Sequence, residues 1–112
     1  MSRQSNVANI YGIVTDTMIM SGLVVLKASM NGFWIRCKGE TAMDINVPLG
    51  LPEGFTCVLF NENPGVTIFI NQSAPGVQIH SVGGLHSCIE QYGEVGIFSY
   101  APNRFKLTGN LA

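Results

Sequence analysis

Two histidines carry whatever acid–base or metal chemistry this chain could perform. His80 is followed by Ser81, and His86 by Ser87 and Cys88, so each imidazole has a hydroxyl or thiol as its neighbour. A serine or cysteine nucleophile needs such a base within hydrogen-bond reach. No Gly-x-Ser-x-Gly elbow accompanies them, and neither a Cys-x-x-Cys nor a His-x-x-x-His spacing is present to grip a metal. The seven carboxylates (Asp16, Glu40, Asp44, Glu53, Glu62, Glu90 and Glu94) lie in or beside turns or on alternating strand positions. No two of them stand at a spacing that suggests an acid/base pair. Gly83-Gly84 reads as a turn with no following helix to cradle a phosphate. The expectation is a loop histidine and a buried thiol, with no catalytic residue, metal or cofactor.

Charge and cysteine usage narrow the partners. Six Lys and Arg are scattered from Arg3 to Lys106 and the formal net charge is -1, so there is no basic footprint for nucleic acid or an anionic membrane. Charged residues make up 12% of the chain, about half the ~25% of an ordinary soluble domain. Cys37, Cys57 and Cys88 are odd in number and widely spaced, which predicts free thiols and folding in a reducing cytoplasm. The longest apolar stretch, 18–26, is broken by Ser21 and Gly22 and is far short of the ~20 residues of a spanning helix. A signal peptide with Arg3 as its basic end fails because residues 4–16 are polar where an apolar core should begin. For the same reason the sequon Asn71-Gln72-Ser73 is expected to be idle.

The elements that must position these residues are short. After a polar stretch at 1–9, read as a mobile arm, β-favouring runs alternate with turn signals at intervals of roughly ten residues. The predicted strands are 10–14, 22–29, 33–38, 42–47, 55–60, 66–71, 77–82, 87–91, 95–100 and 104–108. Thirteen glycines and the lack of any uninterrupted 3.6-residue period favour an all-β fold over 10–112. Asn31-Gly32 predicts a tight hairpin between its flanking strands. Ala101-Pro102-Asn103-Arg104 predicts a type I turn and a last hairpin. Residues 48–54 form the longest connection, expected to cross between two sheets, since neither half could build its own core.

Alternation along the strands assigns faces. Phe33, Ile35 and Cys37 form one face of their strand, with Trp34, Arg36 and Lys38 opposite. Val66, Ile68 and Ile70 oppose Thr67, Phe69 and Asn71, while Phe55, Cys57 and Leu59 alternate with Thr56, Val58 and Phe60. Large apolar residues on both faces exceed what a lone sandwich needs, so Trp34, Arg36 and Phe69 are the candidate partner-binding residues. A register slipped by one is the competing reading, because it would exchange the two faces.

From Pro52 onward the chain carries a recognisable pattern. Pro52-Glu53-Gly54-Phe55-Thr56-Cys57-Val58-Leu59 is followed by Pro64-Gly65-Val66-Thr67-Ile68 and Gly76-Val77-Gln78-Ile79-His80-Ser81. Tyr92-Gly93-Glu94-Val95 and Phe105-Lys106-Leu107-Thr108-Gly109-Asn110-Leu111 complete it. This resembles a β module found at the C-termini of phage virion proteins, although Phe105 stands where that module commonly has Trp. A free-standing chain with the module looks like the small capsid-decorating "staple" proteins of short-tailed bacteriophages. The resemblance implies a jelly-roll-like β-sandwich of about ten short antiparallel strands on the outer capsid surface, clamping neighbouring subunits of the major capsid protein. Synthesis in the host cytoplasm goes with it. Open sheet edges add the expectation of a homo-oligomer, a dimer. The alternative is a carbohydrate- or receptor-binding module of a tail fibre or spike, with Trp34 stacked on a sugar; few polar partners are evident near Trp34 in the sequence.

Overall fold

The computed structural model describes residues 16–39 and 42–112. The expected arm at 1–9 and strand at 10–14 lie outside them. Ten strands form among the described residues: β1 (Asp16–Met20), β2 (Leu23–Val25), β3 (Phe33–Cys37), β4 (Ala42–Val47), β5 (Thr56–Asn61), β6 (Thr67–Gln72), β7 (Gln78–His80), β8 (Ser87–Cys88), β9 (Glu94–Ala101) and β10 (Arg104–Gly109). Two single 3-10 turns, Ala28–Met30 and Val82–Gly84, are the only helical segments among the described residues. The all-β expectation holds. β1 is an addition, since it lies between the predicted strands 10–14 and 22–29.

The strands sort into two sheets, one ordered β1-β3-β5-β9-β10-β7 and the other β2-β4-β6-β8. Odd and even strands therefore alternate between sheets from β1 to β9, and up to β7 the chain winds rather than folding back. Thr17, Trp34 and Val58 stand side by side, so one winding takes 17 residues and the next 24. On the other sheet Leu23, Asp44 and Phe69 align at 21 and 25 residues. This is solenoid-like stacking, in which each winding buries its apolar side against its neighbours.

Two expectations are corrected by that winding. The strands are not uniformly antiparallel: β1/β3, β3/β5, β2/β4, β4/β6 and β7/β10 pair in parallel, and only β5/β9, β9/β10 and β6/β8 are antiparallel. Nor does Asn31-Gly32 close a hairpin. It is a corner that carries the chain from β2 in one sheet to β3 in the other. Gly32 takes φ +83° there, and its N–H donates to the Thr56 carbonyl at 2.7 Å while Thr56 N–H donates to Asn31 Oδ1 at 2.9 Å. A positive-φ turn is required at such a corner as much as in a hairpin. The turn was legible; its partner, a winding later, was not.

Other connections are as expected. Residues 48–54 cross from β4 to β5 between sheets. Pro102-Asn103 joins β9 to β10 as an antiparallel hairpin, with Asn103 at φ +57° and a register shift at Arg104/Phe105 in place of a plain type I turn. That hairpin inserts between β5 and β7. The inward residues of both sheets merge into one core, with Ile35, Cys37, Cys57, Leu59 and Ile68 wholly buried. The face assignment for β3, β5 and β6 is therefore correct.

Candidate functional site

Alternation and parallel register together build a site on the outward face of the six-stranded sheet. β3 presents Trp34 and Arg36 outward, and Arg36 stands beside Phe60 of β5. Glu62 follows β5, and Tyr92 belongs to the turn that leads into β9. Trp34, Arg36, Phe60, Glu62 and Tyr92 line an open groove of about 330 Å³. Phe60 is its centre. Trp34 meets it edge-on, with centroids 6.0 Å apart and planes at 79°, while Tyr92 lies nearly parallel to it at 6.2 Å and 24°. Both arrangements are favourable for ring quadrupoles.

The polar side of the groove is a bidentate ion pair. Arg36 Nε and Nη2 donate to Glu62 Oε1 and Oε2, each at 2.8 Å, and Lys38 Nζ stands 3.7 Å from Oε2. The hydrogen bond to Glu62 raises the guanidinium pKa above its ordinary value. The reciprocal bond from Arg36 holds the Glu62 carboxyl below the usual carboxylate range. Two planar groups are thereby locked in one orientation beside the aromatic rings.

Tyr92 reaches the groove at a conformational cost. Its φ is +67°, in the left-handed region that is unfavourable for a residue with a Cβ. The turn is pinned on Asn61, which is wholly buried: Tyr92 N–H donates to the Asn61 carbonyl at 2.6 Å, and Asn61 N–H donates to the Gly93 carbonyl at 2.9 Å. Asn61 Nδ2 in turn donates to the Val66 carbonyl at 2.8 Å. Tyr92 is nevertheless 66% exposed, so burial does not offset the strain. Strain of this kind, held by its surroundings, is characteristic of binding sites.

Of the three candidate binding residues, the structure brings Trp34 and Arg36 together and separates Phe69 from them. Phe69 lies on β6 in the four-stranded sheet, between Asp44 of β4 and Ser87 of β8. Because β3 and β6 belong to different sheets, their outward positions look away from the common core in different directions. Phe69 shares its face with Leu23 and Val25, all three exposed. Asp44 is the only charged residue among the outward positions of β2, β4, β6 and β8; Asn46, Asn71 and Ser87 supply most of the remaining polarity. Asn71 Nδ2 donates to both Asp44 Oδ1 and Asn46 Oδ1 at 3.2 Å.

Glu62 and Tyr92 were missed in the sequence, and Phe60 was placed outward without being singled out. Nothing local marks Glu62 as a partner for a residue 26 positions earlier. The histidines form no nucleophilic pair with their neighbours: Ser81 Oγ donates to the Leu85 carbonyl at 2.6 Å and Ser87 Oγ to the Ala112 carbonyl at 2.7 Å. Cys37, Cys57 and Cys88 are all buried, and burial pushes the thiols of Cys37 and Cys57 up to about 12. Among the described residues no group of three metal-ligating side chains comes together, and no helix is long and apolar enough to cross a membrane. No protein-family model, no curated protein and no solved structure matches the chain.

Proposed function

We propose that this chain is a phage virion structural protein that decorates the outer capsid surface, clamps neighbouring major capsid subunits and performs no catalysis. The observation that carries the reading is the outward face of the four-stranded sheet. It exposes Leu23, Val25 and Phe69 around one charged side chain, Asp44. Depletion of charge around an aromatic and aliphatic centre is the compositional mark of an interface core. The virion context comes from the resemblance carried from Pro52 to Leu111, the stretch containing β5 to β10. The architecture that goes with this proposal is a short two-sheet solenoid closed by the β9/β10 hairpin, in place of an antiparallel jelly roll. Binding only the assembled shell would stabilise it by RT ln(1 + [L]/Kd) at each site.

The test is quantitative gel analysis of sedimented virions, together with capsid binding by a Phe69→Glu variant. Stoichiometric presence in heads, lost in Phe69→Glu while the isolated chain keeps its melting temperature, is the expected result. Absence from intact heads, or a few copies confined to the tail, overturns the proposal.

A further inference from the structure

The geometry points to a second, separate activity: the Trp34–Phe60–Tyr92 groove binds a neutral pyranose of a carbohydrate chain. Arg36 and Glu62 already neutralise each other through two hydrogen bonds, and Lys38 leans on the same carboxylate, so neither member of the pair is left as a free charge partner for an ionic ligand. What the pair still offers is a mixed set. Arg36 retains unused N–H donors, and the carboxylate retains acceptor lone pairs, side by side in fixed planes. A hydroxyl donates and accepts at once and fits such a set without disrupting it. Lys38 and Gln91 flank the same edge: Lys38 Nζ is 3.7 Å from Glu62 Oε2, and Gln91 Nε2 donates to the Glu62 carbonyl at 3.2 Å.

The aromatic side completes the match. A pyranose has an apolar C–H face, and three rings gathered about Phe60 present apolar surface within reach of the ion pair. The volume of about 330 Å³ suits one or two sugar rings and is at the lower end of ordinary ligand sites. Tyr92 supplies the independent observation. A glycine at φ +67° would cost less than a tyrosine, and the tyrosine is largely exposed. Holding it there serves the groove more than the core.

Trp34 is the single tryptophan of the chain, so its fluorescence reports on this groove alone. The full chain would be titrated at millimolar concentration with neutral gluco-, manno- and galacto-oligosaccharides, and separately with a polyuronate. Saturable change of Trp34 emission with at least one neutral oligosaccharide is expected. Tyr92→Gly, which relieves the positive-φ strain, should weaken that binding about tenfold or more with little change in melting temperature. Glu62→Gln should also weaken it, and Leu23→Ser on the other sheet should not. No response to any neutral oligosaccharide, response to the polyuronate alone, or undiminished binding in Tyr92→Gly overturns the inference. Sedimentation equilibrium showing the groove filled by a second copy, with dimerisation lost in Tyr92→Gly, overturns it too. Because the isolated chain is read out, failure here leaves the capsid proposal standing, and failure of virion association leaves this one standing.

Discussion

The first seven strands and the last three use the same core in different ways. From β1 to β6 the chain advances by windings, and every pairing among β1, β3, β5 and among β2, β4, β6 is parallel. β7 still runs in the direction of β5, and from β8 onward the chain doubles back: β8 runs antiparallel to β6, and the β9/β10 hairpin inserts between β5 and β7. A stack of parallel windings ends in exposed edges, and a hairpin laid against the last winding covers one of them. The tail finishes this closure. Asn110 brackets Glu94, its N–H donating to the Glu94 carbonyl at 2.8 Å while its Oδ1 accepts from the Glu94 N–H at 2.9 Å. Leu111 packs against the core, and Ala112 N–H donates to the Ser87 carbonyl at 2.8 Å. The Gly109-Asn110-Leu111 signature therefore has a structural reason in this chain. It is the latch of the closing half.

Truncation of the buried ring in the closure should have the largest effect. Phe105 is wholly buried on β10, and Phe105→Ala should cost about 3–5 kcal/mol. Met43→Ala, equally buried on β4 in the stack, should cost about 2–5 kcal/mol. If stack and closure form one cooperative unit, both variants keep a single urea transition with an unchanged m-value. An early separate transition in Phe105→Ala would show the closure unfolding by itself, and the comparison would then describe two units.

The latch can be separated from mere turn strain by comparing two glycines. Gly109 has φ +109°, and a Cβ there would collide with the Glu94 carbonyl. Gly50 has φ +89° in the loop before β5, with nothing nearby for a Cβ to meet. Both alanine variants bear the backbone penalty of about 1 kcal/mol, but Gly109→Ala must also push β10 from β9. It should lose about 2 kcal/mol or more, clearly more than Gly50→Ala, by thermal or urea unfolding. Equal losses would mean that the latch contributes nothing beyond its φ.

The same division explains what could be read from the sequence. Within the closure, information is local: Pro102-Asn103 announces a hairpin whose strands are adjacent in the chain, and β9 and β10 pair as expected. Within the stack it is not local. Alternation correctly assigned the inward faces of β3, β5 and β6, because a strand's two faces depend only on its own residues. It could not say that Arg36 lies beside Phe60, since that needs the length of a whole winding. The loss of Phe69 from the groove has the same origin. β6 and β3 look alike as isolated amphipathic strands, and only the alternation of sheets separates them. β1 escaped notice because its Asp16-Thr17 start reads as the flank of the apolar stretch that follows. Tyr92-Gly93 falls in the gap between the predicted strands 87–91 and 95–100, but the placement of the positive φ on the tyrosine was not legible.

Up to pH ~9, the smallest effect is a pH dependence that again distinguishes the two regions. Cys37 on β3 and Cys57 on β5 belong to the stack, and burial pushes both thiols up to about 12. In the unfolded chain a thiol titrates near ~8.5, so above that pH the unfolded state releases protons that the folded state keeps. The stabilisation is complete below ~8.5 and is lost as pH rises toward about 12. At pH ~9 the loss is on the order of 1 kcal/mol or less per thiol, and it steepens above that pH. Cys88, in the closure, is also raised by burial, but the Glu90 carbonyl opposes the shift. Urea unfolding between pH 7 and 10 should therefore show a shallower decline for Cys57→Ala than for the parent chain, whatever the offset its cavity introduces. Cys88→Ala should flatten the curve less. Parallel curves for the parent and Cys57→Ala would mean that water reaches the thiol from outside the sheets, and the stack would then be looser than its closure.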